Sequence, residues 1–246
     1  MIDIHCHFLP GIDDGPASME EAVALARLAV EDGITCSFVT PHIHPGRWEN
    51  ETKTITRQVM LYREQLRLHQ VQLDVRFAAE VRLTDFIFKQ LELLQLPFLG
   101  VLDGFSLMLL EFPHGHLIPG SGQLVEWLVR QKIRPIIAHP ERNKAVMRTP
   151  AALQPFLQAG CLLQVTAGSL TGLFGEGAQQ VALQLLEQDQ ISFIATDAHN
   201  VKRRPPVLSE AFALVSKLKG QARAEQLFEG NQRAFMQPAA ESAFHA

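Results

Sequence analysis

The first fifteen residues, MIDIHCHFLPGIDDG (residues 1–15), place two histidines in an apolar segment and end in a carboxylate pair, Asp13 and Asp14, before a glycine. Alternate side chains of an extended strand point to the same face. His5 and His7 therefore share one face of the predicted strand, and Cys6 lies on the other. Neutral imidazole is the commonest metal ligand in proteins, so the pair fits a metal site. It also fits a surface strand that carries two histidines, and the rest of the sequence must decide.

The composition is that of a soluble globular protein. The 246-residue chain has 47% hydrophobic and 20% charged residues, with a formal net charge of −4,. This mildly acidic balance does not favour nucleic-acid binding, which needs clustered Lys and Arg. The chain has neither an apolar segment long enough to cross a bilayer nor the pattern of a signal peptide. We therefore expect no membrane insertion and a cytoplasmic location.

Apolar segments rich in β-forming residues alternate with segments of helical periodicity along almost the whole chain. The predicted strands are residues 2–5, 34–40, 73–79, 105–111, 134–138, 161–165 and 192–196. The first predicted helix begins after Ser18, which is expected to be its N-cap. The other predicted helices are residues 51–69, 84–94, 121–131, 150–158, 176–188 and 206–217,. Strands that are each followed by a helix predict a parallel sheet with right-handed crossovers.

A barrel is favoured over an open sheet, because no glycine-rich phosphate loop follows the first strand. About seven βα units fit the predicted elements. The sequence contains no repeat and no linker, so we expect residues 1–246 to form a single α/β domain. Residues 221–246 are expected to form a closing helix and a tail.

Ligand-type side chains follow six of the seven predicted strands. They are His5 and His7, His42 and His44, Glu80, Glu111, His139 with Glu141 and Arg142, and Asp197 with His199. The sixth strand supplies only Thr166 and Ser169. The carboxyl ends of barrel strands meet at one face, and acidic and imidazole groups buried together there need cations. The sequence therefore predicts a site for two or three divalent ions. Imidazole and carboxylate without thiolate suit Mn, Fe or Zn.

The order of the motifs HCH, DDG, TPH, an isolated Glu80, EFP, HPERN and TDAHN resembles the PHP family of polymerase and histidinol phosphatase domains. The segments IDIHCHFLPGIDDGP, HPERN and DAHNVKRRPP are more closely similar to the bacterial manganese-dependent tyrosine phosphatases found with capsule and exopolysaccharide genes. The resemblance covers residues 2–235. It implies a distorted (β/α)7 TIM-like barrel that holds three divalent metal ions. Manganese is the first choice, and Fe, Zn or Mg are alternatives.

The resemblance also implies roles for individual residues. The implied ligands are His5, His7, Glu80 and Asp197 for the first ion, Glu80, Glu111 and His139 for the second, and Asp14, His42 and His199 for the third. The implied phosphate-binding residues are Arg142 and Arg204, with Arg203 as the alternative to Arg204. Asp13 is expected to order its turn, and His44 to lie outside the ligand set. His114 and His116 are expected to be exposed.

The activity that the resemblance implies is hydrolysis of phosphotyrosine in proteins. The implied partner is the phosphotyrosine tail of a membrane-bound tyrosine autokinase, or polysaccharide co-polymerase, that controls polysaccharide export. Divalent ions would neutralise the phosphate charge and make hydroxide available at neutral pH. A cysteine phosphatase is excluded, because its catalytic loop needs an Arg six positions after the nucleophile. The three cysteines, Cys6, Cys36 and Cys161, have Ile12, His42 and Ala167 at that position.

Other functions stay open. A PHP phosphatase could act on a small phosphate monoester such as histidinol phosphate, and an amidohydrolase would cleave C–N bonds. The amidohydrolase pattern usually has a bridging Lys where this chain offers Glu80 and Glu111. A non-catalytic metal-binding scaffold is the third alternative, although it would have no use for two phosphate-binding arginines. The oligomeric state is left open.

Overall fold

Strands and helices alternate along residues 1–236, the part of the chain that the computed structural model describes. The strands are β1 (Ile2–Cys6), β2 (Cys36–Val39), β3 (His42–Ile43), β4 (Asp74–Phe77), β5 (Glu80–Arg82), β6 (Val101–Leu102), β7 (Phe105–Glu111), β8 (Ile133–Ala138), β9 (Leu162–Thr166) and β10 (Phe193–Ala195). The longer helices are α1 (Met19–Glu31), α2 (Thr52–Leu68), α3 (Phe86–Glu92), α4 (Ser121–Arg130), α8 (Glu176–Glu187) and α9 (Ser209–Lys219). The short helices are α5 (Lys144–Arg148), α6 (Gln154–Gln158), α7 (Ala167–Leu170), α10 (Gln221–Glu225) and α11 (Asn231–Met236).

The strands form two sheets, and all neighbours run parallel except the pair β6 and β7. The smaller sheet has the order β1-β2-β4, and the larger has the order β10-β9-β8-β7-β5-β3. Backbone hydrogen bonds join β1 to the segment after β10. The Asp197 N–H donates to the His5 carbonyl over 2.8 Å, and the His7 N–H donates to the Ala198 carbonyl over 2.8 Å. The α/β class with parallel strands is confirmed.

Two predicted strands end earlier than expected. Residues 34–40 and 73–79 contain β2 and β4, and the short strands β3 and β5 follow as separate elements that pair with each other. Pro41 separates β2 from β3, because proline cannot donate to a strand ladder. His42 and Glu80 thereby open β3 and β5, just beyond the carboxyl ends of β2 and β4. This arrangement places both side chains at the site.

Two predicted helices also differ from the structure. Residues 150–158 divide into a 3₁₀ turn, Pro150–Leu153, and α6, which has Pro155 in its first turn,. The helix predicted at 206–217 begins only at Ser209, where the Asp32 carboxylate accepts the N–H of Leu208 over 2.6 Å and that of Ser209 over 3.0 Å. The predicted closing helix is present as α10 and α11. Residues 237–246 of that prediction lie outside the described residues.

Helix α1 begins shortly after the turn that carries Asp13 and Asp14. The Ser18 hydroxyl accepts the Glu21 N–H over 3.3 Å, so Ser18 is the N-cap as predicted, and the Glu21 carboxylate accepts the Ala17 N–H over 2.8 Å,. The Tyr62 hydroxyl of α2 donates to the Ala22 carbonyl of α1 over 3.0 Å. Helix α1 is therefore anchored both at its start and along its buried face.

Both faces of most strands are buried, as is usual in helix-covered parallel sheets, whereas β4 and β6 are partly exposed,. One hydrophobic cluster takes alternate strand residues such as Ile4, Phe38 and Leu107. A larger cluster contains the other alternate residues together with the apolar faces of the helices. Within residues 1–236, no helix combines the length and the apolarity needed to cross a bilayer.

Gly100→Ala is expected to destabilise the fold. A Cβ atom at Gly100 would lie 2.5 Å from the Phe235 carbonyl oxygen and 3.0 Å from the Phe235 ring, so α11 would have to move. We expect a loss of about 1–3 kcal/mol in the free energy of unfolding, measured by urea titration. The control is Gly122→Ala in α4, where an added Cβ meets nothing within 4 Å. It should stabilise the protein by about 0.5–1 kcal/mol. An unchanged midpoint for Gly100→Ala would contradict this packing.

Candidate metal centre

The nine predicted metal ligands surround one end of the sheets. Eight of them are buried, namely His5, His7, His42, Glu80, Glu111, His139, Asp197 and His199. The ninth, Asp14, is partly exposed, with 42% of its side chain accessible. Seven of the nine line a cavity of about 310 Å³, and the other two, His5 and His7, are buried and do not line it. The structure therefore brings together side chains that are almost two hundred positions apart in the sequence.

The first group of donor atoms comes from His5, His7, Glu80 and Asp197. The Nε2 atoms of His5 and His7 lie 3.2 Å apart. Glu80 Oε2 lies 3.3 Å from each of these nitrogens, and Asp197 Oδ1 lies 3.3 and 3.4 Å from them. Metal–ligand bonds of about 2.0–2.2 Å give tetrahedral edges of about 3.3–3.6 Å. The donor spacing of this group fits one ion.

The second group contains Glu80 and Glu111, as predicted, together with His42. His42 Nδ1 lies 3.0 Å from Glu80 Oε2 and 3.9 Å from Glu111 Oε2. The predicted third member, His139, contacts the other oxygen of Glu80, with 2.7 Å between Nε2 and Oε1. His139 therefore lies beside the group, and His42 offers it a nitrogen that the sequence did not indicate.

The third group contains the predicted residues Asp14, His42 and His199, and His7 adjoins them. Asp14 Oδ1 lies 3.3 Å from His42 Nε2 and 3.2 Å from His199 Nε2. Because His42 directs Nε2 to this group and Nδ1 to the second, its ring lies between the two. The imidazole therefore connects neighbouring groups of donors.

Several buried donor atoms at these groups have no hydrogen-bond partner among the described residues. They are His42 Nδ1, Glu80 Oε2, Glu111 Oε2, Asp197 Oδ1 and His199 Nε2. Each unpartnered buried polar atom costs about 1–3 kcal/mol. Lone pairs that converge without hydrogen bonds are typical of a metal site, because a cation satisfies all of them at once. The donor set fits divalent cations.

Two of the imidazoles are held in the neutral form that binds metals. Burial, followed by the charge of Arg142, lowers the pKa of His139 to about 3. Burial, followed by the charge of His7, lowers the pKa of His199 to about 4. Both rings are therefore uncharged at neutral pH and keep a nitrogen lone pair available.

The carboxylates carry an excess of negative charge. Burial would raise the pKa of Glu80, but the surrounding imidazoles, His5 first, outweigh it and hold that pKa well below its usual value. Burial and the neighbouring charge of Glu80 together raise the pKa of Glu111. Glu111 therefore resists ionisation beside an ionised Glu80. Divalent cations would remove this conflict.

Arg142 and Arg204 both reach the site through Asp197. Each guanidinium donates an Nη2–H to Asp197 Oδ2, while Asp197 Oδ1 belongs to the first group. Burial would raise the pKa of Asp197, but the two arginines outweigh it and lower the pKa. Arg203 lines a neighbouring cavity and not the metal cavity. Arg204, and not Arg203, is the second arginine at the metal cavity.

The model of the family described as "Capsular polysaccharide synthesis, CpsB/CapC" matches residues 1–237. The chain belongs to the CpsB/CapC family. Tyrosine-protein phosphatase YwqE of Bacillus subtilis is 34% identical over 244 residues, covering 97% of this chain and 95% of that protein. Tyrosine-protein phosphatase CpsB of Streptococcus pneumoniae is 28% identical over 238 residues, covering 95% and 97%. The family predicted from the motifs is confirmed.

A solved structure from the CpsB/CapC family superposes with a TM-score of 0.88 at 34% identity and covers 96% of this chain and 94% of that one. It is described as one of the "unique metal-dependent tyrosine phosphatases" YwqE and CpsB. An organophosphorus hydrolase from Deinococcus radiodurans superposes with a TM-score of 0.58 at 16% identity, covering 95% and 92%. At this identity the second likeness concerns the fold alone.

Two side chains outside the ligand set orient the first pair of histidines in this CpsB/CapC member. His5 Nδ1 lies 2.8 Å from Gln164 Oε1, and His7 Nδ1 lies 2.7 Å from Asp13 Oδ2. Asp13 also accepts the Gly15 N–H over 2.9 Å, so it orders its turn as predicted. Gln164 was missed, because only Thr166 and Ser169 were expected from β9. In the sequence, Gln164 can be recognised only as a polar residue within an otherwise apolar strand segment.

The rim of the cavity contains five further side chains with polar or aromatic groups. They are His44, Arg47, Trp48, Arg82 and His114. His44 is half-buried and, as predicted, belongs to none of the donor groups. His114 and His116 are exposed, as predicted, although His114 also lines the cavity. The Trp48 indole stacks on the His42 ring at 4.5 Å and carries the Arg47 guanidinium at 4.0 Å. Trp48 therefore packs against a donor ring.

The backbone is strained where two of the donors are attached. His139 has φ 33° and Asp197 has φ 51°, both in the left-handed region that residues with a side chain rarely adopt,. Conformations of this kind cost about 1–3 kcal/mol and cluster at functional sites. His139 directly follows β8 and Asp197 lies two residues beyond β10, so both left-handed turns stand at strand ends that face the site.

Gln164→Leu is expected to weaken metal binding. Loss of the Oε1 atom frees the His5 ring to rotate, and substitutions of this kind cost about 10–100-fold in metal affinity. Calorimetric titration of the metal-free protein with Mn²⁺ measures the effect. The control is Gln188→Leu at the exposed end of α8, which should bind Mn²⁺ as the wild type does. Unchanged affinity in a folded Gln164→Leu protein would show that His5 does not depend on this contact.

Proposed function

We propose that this protein is a metal-dependent phosphatase that hydrolyses phosphotyrosine in proteins, within capsular or exopolysaccharide synthesis. One observation carries the proposal. Three groups of donor atoms and two arginines converge on one cavity, in a chain whose relatives are named tyrosine-protein phosphatases. A phosphate monoester is the substrate that this combination of charges fits, because its dianion needs both cations and guanidinium donors.

The proposal includes three divalent metal ions, one at each donor group, with manganese preferred over Fe, Zn or Mg. Imidazole and carboxylate donors support this choice, because they suit borderline and hard cations. The nine proposed ligands are those predicted from the sequence, with His139 kept as a ligand of the second ion, next to Glu80. Bound ions would neutralise the phosphate and make hydroxide available at neutral pH. Eight of the nine ligand side chains are buried, so the charge of the bound ions would lie in a buried site.

The two arginines are proposed to bind the phosphate oxygens. Asp197 anchors each guanidinium by one Nη2, and the Nε–H donors of Arg142 and Arg204 have no hydrogen-bond partner among the described residues. Each side chain therefore keeps free donors in a buried position. Guanidinium groups match phosphate in a bidentate geometry and remain charged at all physiological pH values. The arginines would orient the phosphorus for in-line attack and stabilise the charge that develops.

A cysteine nucleophile is not part of the proposal. All three thiols are buried, and none belongs to the donor groups. Burial raises the pKa of Cys36 and that of Cys161 to about 12, and it raises the pKa of Cys6 well above its usual value. Since the thiolate is the reactive form, these residues are inert at neutral pH.

The proposal extends to the architecture and the biological setting. The hydrogen bonds from Asp197 to His5 and from His7 to Ala198 support closure of the two sheets into a distorted (β/α)7 barrel in a single domain. We place the protein in the cytoplasm and assign it the phosphotyrosine tail of a tyrosine autokinase, or polysaccharide co-polymerase, as substrate. Membership of the CpsB/CapC family supports this setting. The exposed Arg47 and His114 at the mouth would meet the flanking peptide.

The manganese-loaded protein is expected to hydrolyse a phosphotyrosine peptide faster than histidinol phosphate. Removal of metal by a chelator should abolish turnover, and added Mn²⁺ should restore it. Thiol alkylation should leave the rate unchanged, because the cysteines are buried. Release of inorganic phosphate measures the rate in all five conditions. A preference for histidinol phosphate, or an alkylation-sensitive rate that survives chelation, would contradict the proposed function.

Arg142→Lys and Arg204→Lys are each expected to lower kcat/KM for the peptide by about a hundredfold, because an ammonium cannot replace a bidentate guanidinium. Arg203→Lys is the matched control. It changes the adjacent residue, which lies outside the metal cavity, and should retain wild-type kcat/KM. An equal loss in all three variants would argue for a general electrostatic effect. An effect of Arg203→Lys alone would reverse the assignment.

A further inference from the structure

Phe174 lies beneath both of these arginines. It belongs to the loop between α7 and α8, which follows β9, the strand that contributes no metal donor. The Arg142 Cζ atom lies 4.6 Å from the centre of the Phe174 ring, and the Arg204 Cζ atom lies 5.9 Å from it. Both distances are within the range of about 6 Å at which a guanidinium interacts with an aromatic face. The Phe174 ring therefore interacts with both guanidinium groups.

The contacts with Asp197 do not by themselves fix the two guanidiniums. Both Nη2 groups share the single oxygen Asp197 Oδ2, and each Nε–H lacks a partner among the described residues. A guanidinium held at one corner can turn about that contact. The two cations also repel each other. The negative face of the Phe174 ring attracts both guanidinium groups and restricts their orientations.

The surrounding loop is built to make room for the ring. A Cβ atom at Gly168 would lie 3.1 Å from Phe174 Cε2 and 2.9 Å from Leu173 Cδ2, so only glycine fits there without displacement. Gly172 and Gly175 flank the residue with φ +91° and +86°, in the left-handed region that glycine adopts readily,. The Leu173 N–H donates to the Gly168 carbonyl over 2.8 Å. Phe174 therefore lies in a glycine-rich turn and packs closely against Gly168.

We infer that Phe174 is a positioning residue, whose ring holds the guanidiniums of Arg142 and Arg204 in the orientation that binds the substrate phosphate. The inference rests on the proposed function, because it takes the phosphate as the ligand of these arginines. A phenyl ring offers no atom that binds a divalent cation, so its role concerns the arginines and phosphate, and not the metal. The loop after β9 thereby contributes to the site without supplying a ligand.

The experiment compares Phe174→Leu with Phe174→Tyr in the manganese-loaded protein. Leucine keeps an apolar side chain but removes the π face, and tyrosine retains that face. Calorimetric titration with inorganic phosphate gives the affinity for the anion, and peptide hydrolysis gives kcat/KM. Phe174→Leu should weaken phosphate binding and lower kcat/KM by about tenfold each. Phe174→Tyr should restore both to within about twofold of the wild type. Phe86→Leu, an exposed phenylalanine of α3, is the control and should match the wild type.

The affinity for Mn²⁺ and the thermal midpoint separate positioning from simple packing. Both should be unchanged in Phe174→Leu if the ring acts only on the arginines. Phosphate affinity that is unaffected by leucine would overturn the inference, as would a tyrosine variant that fails in the same way as leucine. Loss of hydrolysis for aryl phosphates but not for phosphoserine peptides would also overturn it, since the ring would then contact the substrate. If the wild type hydrolyses no phosphotyrosine, the proposed function fails, and the phosphate titration alone still decides the role of Phe174.

Discussion

The buried carboxylate of Glu80 is surrounded by imidazole groups, yet protein hydrogen bonds do not satisfy both of its oxygen atoms. Its Oε2 atom lies 3.0–3.3 Å from the nearest ring nitrogens of His42, His5 and His7, yet accepts no hydrogen bond from the described residues. A fully buried anion needs compensation, and an unpaired one shifts its pKa or recruits a cation. Because Glu80 belongs to two donor groups, this one side chain connects the first and second groups of the centre.

The rest of the structure keeps the donor groups together, although the local backbone conformations at the site are unfavourable. His139 and Asp197 adopt left-handed backbone conformations, and Asp197 also carries two arginines. The free-energy cost of these conformations is offset by the hydrophobic core around the strands and by hydrogen bonds that hold the donor side chains in place. Glu141, fully buried beside Arg142, accepts the Thr166 N–H over 3.0 Å and the Ser169 hydroxyl over 2.7 Å. The two residues expected from β9 thus anchor the turn that carries the motif HPERN.

The residues that the sequence offered as ligands lie together in the structure, because chemistry and position agree there. Histidines and carboxylates at strand ends have few structural uses, so their coincidence at His5, Glu80 and Asp197 indicated a common site. It predicted less about residues whose role depends on orientation. Arg203 and Arg204 are adjacent and chemically identical, and the turn capped by Asn200 Oδ1 sends them to different cavities.

Phe174 and Gln164 show a second limit of sequence reasoning. A phenylalanine in a loop and a glutamine in a strand are ordinary in any protein, and only the distances to Arg142 and His5 give them a role. The strand boundaries followed from periodicity, except that β6 was not predicted and that the strands predicted at 34–40 and 73–79 each end early. The first of these breaks, at Pro41, was visible in the sequence. Its effect, which is to bring His42 and Glu80 into register, required the pairing of β3 with β5.

Anomalous diffraction at the manganese edge, from crystals of the protein grown with Mn²⁺, would examine the metal centre directly. We expect three peaks in the cavity, one at each donor group, each about 2.0–2.2 Å from its imidazole nitrogens and carboxylate oxygens. Glu80 should lie next to two of the peaks. Absence of anomalous density at the cavity, with the imidazoles of His5, His7 and His42 turned away from one another, would contradict the metal centre and the function built on it.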